Sequence, residues 1–123
     1  MLYALICYGD EGVDGALTPE QDAAMIGRIE ALQQKWAAAG RSGPSVRLMP
    51  TTAATTLRAG REPVLIDGPF AETKEQLLGI WVIDCGSFEQ ALEAGRAWAR
   101  EKPSGSLEIR PLRSFTPGSA APA

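Results

Sequence analysis

Between Asp67 and Gly79 the chain reads DGPFAETKEQLLG, which sets the carboxylates Asp67 and Glu72 and the ammonium Lys74 within a few residues of one another. A carboxylate there can act as a general base, and Lys74 can stabilise negative charge as it develops. Pro69 pushes Gly68 toward extended or turn geometry, which a residue without Cβ accepts most easily, so the corner should be rigid. Phe70 is expected to anchor that corner in the core. Burial beside an apolar ring disfavours a charged carboxylate and suits it to proton transfer near neutrality. Thr73 with Gln76 three positions on predicts a capping box and a short helical turn, whose free amides can hold an anion. Plainer roles compete with these. Asp67 can simply cap the Gly-Pro turn through its side chain, and Glu72 with Lys74 can form a solvent-facing pair contributing about 0 to 1 kcal/mol.

Two further groups are candidates for the same cleft. Thr55, Thr56 and Arg58 lie in the run TTLR, where an arginine fork could take a ligand carboxylate; the alternative is an exposed strand of β-branched residues. Tyr8, Asp10 and Glu11 follow the first apolar run and offer a phenol and two carboxylates, or only a polar loop. The chain has no histidine, and its two cysteines, Cys7 and Cys85, stand far apart. A zinc, haem or copper site would therefore need poor ligands. We expect neither a transition metal nor another cofactor.

The elements that must position these residues follow from periodicity. Leu2–Tyr8 is a nearly continuous apolar run and predicts a strand buried on both faces. Thr18, Pro19 and Gln21 make a capping box at a helix start, and Met25, Ile29, Leu32 and Trp36 then form one apolar face that Gly40 closes. A strand is expected over Val46–Met49, ended by Pro50. Thr55–Arg58 and Val64–Asp67 flank Gly60 and predict a hairpin. Ile80–Cys85 is a second apolar strand, Ser87 with Gln90 opens a second long helix ending before Pro103, and Leu107–Leu112 alternates as a final strand. Trp36 and Trp98 are expected in the core, and Trp81 at a subunit interface.

The order strand, helix, strand, inserted hairpin, strand, helix, strand is the split βαβ pattern of a ferredoxin-like α+β domain. Right-handed crossovers put both helices on one face of the sheet. The other face has no cover within the chain, although two strands are apolar on both sides, so a homodimer packing sheet on sheet is expected. One domain over residues 1–115 with a flexible tail at 116–123 fits the length of 123 residues. A net charge of −3 with no basic run makes nucleic acid an unexpected partner. No apolar run approaches the roughly eighteen residues needed to span a bilayer, and separated apolar cysteines suit a reducing compartment, so a cytoplasmic protein is expected.

DGPFAETKEQL closely resembles a signature of the YCII-related proteins, in the branch called DGPF-domain proteins. The resemblance extends through LICYGDE, TTAATTLR, WVIDC and EIRPL, and so covers nearly all of the chain outside its tail. It implies a ferredoxin-like domain, a dimeric α/β barrel and a ligand cleft between the sheet and the DGPF loop. On the residues themselves we expect Tyr8, Thr56, Arg58, Gly68, Pro69, Phe70 and Glu72 to contribute to that cleft, with Asp67 as catalytic base and Lys74 or Arg58 stabilising the negative charge. The resemblance also implies an association with sigma factors in many members, and a dehydrochlorinase activity in one branch. That branch resembles a histidine–aspartate acid–base enzyme, and this chain, lacking histidine, departs from it. It departs again at LLGIW, Leu77–Trp81, where many relatives have Gly-Gly-Phe and where bulkier side chains would reshape the cleft. The expected function is binding of a small organic molecule, with cofactor-free proton transfer or elimination. The alternatives are a non-catalytic regulatory accessory protein and a structural dimer without ligand.

Overall fold

The computed structural model describes residues 1–120. Six strands and three helices run in the order β1 (Leu2–Gly9), α1 (Glu11–Asp14), α2 (Pro19–Ala38), β2 (Ser42–Arg47), β3 (Thr55–Arg58), β4 (Val64–Asp67), β5 (Gln76–Asp84), α3 (Phe88–Ala99) and β6 (Ser106–Pro111), with a 3-10 turn at Thr51–Ala53. The main sheet is antiparallel in the order β2-β5-β1-β6, and β3 pairs with β4 in a separate two-stranded sheet. The fold is ferredoxin-like α+β with an inserted hairpin, as the sequence pattern requires.

One face of the sheet carries Tyr3, Leu5, Cys7, Trp81 and Ile83, and these form a single core with Met25 and Ile29 of α2 and Ala91, Ala94 and Trp98 of α3. Both long helices therefore cover that face. Trp81 is fully buried, and so belongs to the core rather than to an interface. Trp36 and Trp98 meet it edge to face at centroid distances of 6.3 and 6.1 Å, and its indole N–H donates to Ser42 Oγ at 3.0 Å. A buried indole needs such a partner, and Ser42 on the neighbouring strand supplies it. The opposite face presents Leu2, Ala4, Ile6, Ile80 and Val82 by strand alternation; Ala4, though buried, lies outside the core cluster.

Local signals explain the helices. Thr18 and Gln21 exchange both bonds of a capping box, and Pro19 is the first helical residue. At the far end Gly40 N–H donates to Ala37 O and Arg41 N–H to Trp36 O, the paired bonds of a Schellman ending. Ser87 Oγ accepts from Gln90 N–H, but the return half of that box is absent. The Gln90 side-chain oxygen instead accepts from Gly86 N–H at 2.8 Å and from Arg41.

Two strands differ from expectation. The strand expected at Val46–Met49 is Ser42–Arg47, and Leu48 and Met49 leave the sheet exposed. Pro44 suits an edge position where its missing N–H costs no ladder bond, and pairing with β5 becomes irregular there. Strand β5 starts at Gln76, four residues before the apolar run, and carries a bulge: Cys7 faces Gly79 while Tyr8 faces Leu77. Leu78 is the extra residue, and it packs against the core side. Of the expected tail, Thr116–Ala120 carries no helix or strand, and 121–123 lie outside the described residues.

Candidate functional site

The hairpin β3–β4 delivers Asp67 to a corner held by its own strands. Asp67 pairs with Thr55 at the last rung, and Gly68 turns the chain at φ +96°, a value side chains rarely adopt. Gly68 N–H donates to Ala54 O at 2.9 Å, and Thr56 Oγ1 donates to Gly68 O at 2.7 Å. Thr56 therefore fixes the corner through a backbone oxygen.

Beside this corner lies an open cleft of about 450 Å3. Asp67, Gly68, Pro69, Glu72 and Lys74 line one side. Asp10, Glu11, Thr51 and Thr52 line the other. Thr51 and Thr52 had no functional assignment from sequence, their only advance signal being their place inside the TTAATTLR run, whereas Thr73 and Gln76 were expected only as the cap of an anion-holding helical turn. Asp10 caps the short α1, accepting from Gly12 N–H at 2.8 Å. Glu11 accepts from Thr51 N–H at 2.7 Å and from its hydroxyl at 2.5 Å, tying α1 to the 3-10 turn. These two carboxylates are committed to shaping the wall. Asp67, Glu72 and Lys74 are exposed, and among the described residues Glu72 and Lys74 form no ion pair with each other.

The loop between β4 and β5 is not helical. Thr73 Oγ1 donates to Glu75 O at 2.5 Å, and Gln76 Nε2 donates to Thr73 O at 3.2 Å and Ala71 O at 3.4 Å. Gln76 is already a strand residue opposite Gly9, so its side chain gathers loop carbonyls instead of capping a helix start. The expected anion-holding helical amides are thus not formed. Phe70 is 75% exposed and outside the cleft lining, so the corner is anchored by hydrogen bonds rather than by that ring.

Two other candidates stand apart from the cleft. Arg58 is exposed and pairs with Val64 at the opposite end of the hairpin, roughly 10 Å along the strand from Asp67. Tyr8 donates its hydroxyl to Glu108 Oε1 at 3.1 Å, and Arg110 donates to the other oxygen of that carboxylate at 3.0 Å. Strand register puts all three on the uncovered face of the sheet. The two donors hold the Glu108 carboxyl below its ordinary value, Arg110 more than Tyr8, while the bond to Glu108 raises the Tyr8 phenol. The Leu77–Trp81 segment also lies outside this cleft: Leu78 lines a separate cavity beneath α2 instead. Both cysteines are free and buried, and burial raises both thiols. Among the described residues no three Cys, Asp or Glu side chains group as metal donors, and no helix is long and apolar enough to cross a membrane.

The YCII-related domain matches residues 1–116. An uncharacterised protein of Rhizobium meliloti (strain 1021) is 50% identical over 120 residues, spanning 96% of this chain and 97% of that one. With the match running from the first strand through the last, over a sheet and corner built as the motif runs require, the chain belongs to the YCII-related family.

Proposed function

We propose that this chain is a DGPF-branch member that binds a small organic molecule in the Asp67 cleft and acts on it by cofactor-free proton transfer or elimination. The observation that carries the reading is the division of labour among the cleft's charged groups: Asp10 and Glu11 are bonded into the wall, whereas Asp67, Glu72 and Lys74 are not paired with one another. Asp67 would remove a proton next to a carbonyl or a leaving group. Lys74 would stabilise the negative charge that results. Arg58 would serve in this role only if a ligand or a second copy closed the distance.

The apolar residues of the uncovered sheet face support a homodimer packing sheet on sheet, which would bury Ile6, Ile80 and Val82 and enclose Tyr8, Glu108 and Arg110. Free buried thiols suit a reducing, cytoplasmic setting. A second reading, a binding or regulatory accessory protein without turnover, is favoured by one observation: Asp67 and Glu72, the cleft carboxylates not bonded into the wall, are exposed, where water competes with chemistry.

Thermal unfolding of wild type and Asp67→Asn against phenols, hydroxyquinones, lactones and small keto acids tests the proposal. A ligand at 100 times its Kd adds about 2.7 kcal/mol. A hit that weakens in the variant places the site at the corner, and turnover of that compound lost in Asp67→Asn identifies the base. Binding without product supports the second reading, and no hit sinks both. Sedimentation showing a monomer at micromolar concentration would overturn the dimer.

A further inference from the structure

We propose that the cavity beneath α2 is a second ligand site, taking a compact, uncharged apolar molecule whose carbonyl oxygen is held by Lys102. This site shares no residue with the Asp67 cleft and does not depend on the function proposed for it. The cavity is about 290 Å3, walled by Ile26, Ile29, Leu78 and Trp98. A dry apolar cavity of about 150 Å3 already holds benzene, so this one suits a single ring with a short chain. A smaller cavity of about 110 Å3 lies alongside, and Cys7 and Lys102 line both.

Lys102 gives the cavity its chemistry. Its side chain is only 10% exposed, and its ammonium spends one N–H on Asp14 Oδ2 at 3.0 Å. Three donors belong to that group. Among the described residues three buried side-chain atoms have no hydrogen-bond partner: Trp98 Nε1, Ser104 Oγ and Asp14 Oδ1. Trp98 lines the larger cavity, Ser104 lines the smaller, and Asp14 is the partner of Lys102. A buried donor without a partner is costly, and the Trp98 indole, lining the same cavity as Lys102, points to a ligand that supplies an acceptor there; Asp14 Oδ1 and Ser104 Oγ lie outside that cavity's lining and are not answered by it. The indole and the ammonium are donors, so the ligand group must accept. A carbonyl does this without adding charge, whereas a carboxylate would bury a second anion beside Asp14. Arg47, which also lines the cavity, is bonded to Asp22 through both terminal nitrogens, at 3.1 and 2.7 Å, and Glu30 lies at the exposed rim.

The bulge makes room for this pocket. Leu78 is turned to the core side, where it becomes a wall, and Gly79 beside it lets β2 approach closely. Bulges commonly re-aim side chains next to binding sites.

Titration of the full chain with 4-phenyl-2-butanone, followed by calorimetry and by the indole N–H resonances, tests the site. We expect one molecule per chain, movement of the Trp98 resonance with little change at Trp36, and at least tenfold weaker binding of 4-phenylbutyrate at pH 8. Ile26→Trp should abolish binding by filling the cavity. The double variant Asp14→Leu, Lys102→Met removes donor and counter-ion together, a replacement that buried pairs often tolerate, and should weaken the ketone at least tenfold. Asp67→Asn should leave it unchanged. No binding heat, an acid that binds as well as the ketone, full affinity in the double variant, or loss in Asp67→Asn would each overturn the proposal.

Discussion

The helix-covered face of the main sheet and the Asp67 hairpin are both β-structure, yet they are held in opposite ways. Leu5, Trp81 and Ile83 are sealed from solvent by two amphipathic helices. In the hairpin Leu57, Val64 and Leu65 are mostly exposed, as is Phe70 in the loop that follows, and the corner is fixed by hydrogen bonds to Gly68 and by the Glu11–Thr51 link. Apolar burial is non-directional and tolerates small shifts, whereas hydrogen bonds at a turn specify one geometry. The difference separates a part that supplies stability from a part that supplies shape.

Substitutions can break that comparison, and the largest effect belongs to the core. Trp81→Ala should cost about 3 to 5 kcal/mol in urea unfolding, while Leu57→Ala should stay within about 0.5 kcal/mol. A comparable loss at Leu57 would mean that the hairpin is packed against something in solution. Next in size, Gly68→Ala should cost about 1 to 2 kcal/mol, because a Cβ at positive φ is strained whatever the space around it. Its effect should be concentrated in the amide exchange of Ala54 to Glu72. Thr56→Val removes the bond to Gly68 O and should cost about 1 kcal/mol; equal stability with an unchanged cleft would show that the strand pairing alone holds the corner.

The smallest effect is electrostatic. Glu108 has its carboxyl held below the ordinary 4.5 by Arg110 and Tyr8, so the folded state favours its charged form. That contribution is complete above the unfolded value and is lost as pH falls through the folded one. The stability difference between wild type and Glu108→Gln should therefore be flat from pH 8 to 6 and shrink below about 4.5, and a difference that grows in acid would contradict the assignment. Being partly exposed, this group should also respond to salt.

Three copies of one local signal show what was legible and what was not. Thr18-x-x-Gln21, Ser87-x-x-Gln90 and Thr73-x-x-Gln76 are the same capping pattern. The first forms completely, the second forms by half, and the third forms a hydrogen-bonded loop. What separates them is the sequence that follows: helical apolar spacing after the first two, a strand after the third. Periodicity therefore identified both long helices, the core strands and the hairpin, whose limits match the expected runs. It put β2 late because the apolar alternation begins only at Val46, whereas Ser42–Ser45 join the sheet by pairing alone, and it could not show the bulge, which depends on pairing between Cys7 and Gly79. The cleft was half legible. Asp67, Gly68, Pro69, Glu72 and Lys74 converge there as motif neighbours, while Tyr8 and Arg58 were separated from it by strand register, which single-strand reading does not contain.

The bulge at Leu78 also makes the chain unequally tolerant of changes in length. Removing one residue there would let β5 pair straight through with Leu77 still opposite Tyr8 and Gln76 opposite Gly9, but the core-side wall that Leu78 supplies would be lost. One residue more or fewer in the exposed turn at 59–62 would disturb only that tip. Length variants in such chains should accordingly collect at the tip of the hairpin and avoid the two leucines that begin β5.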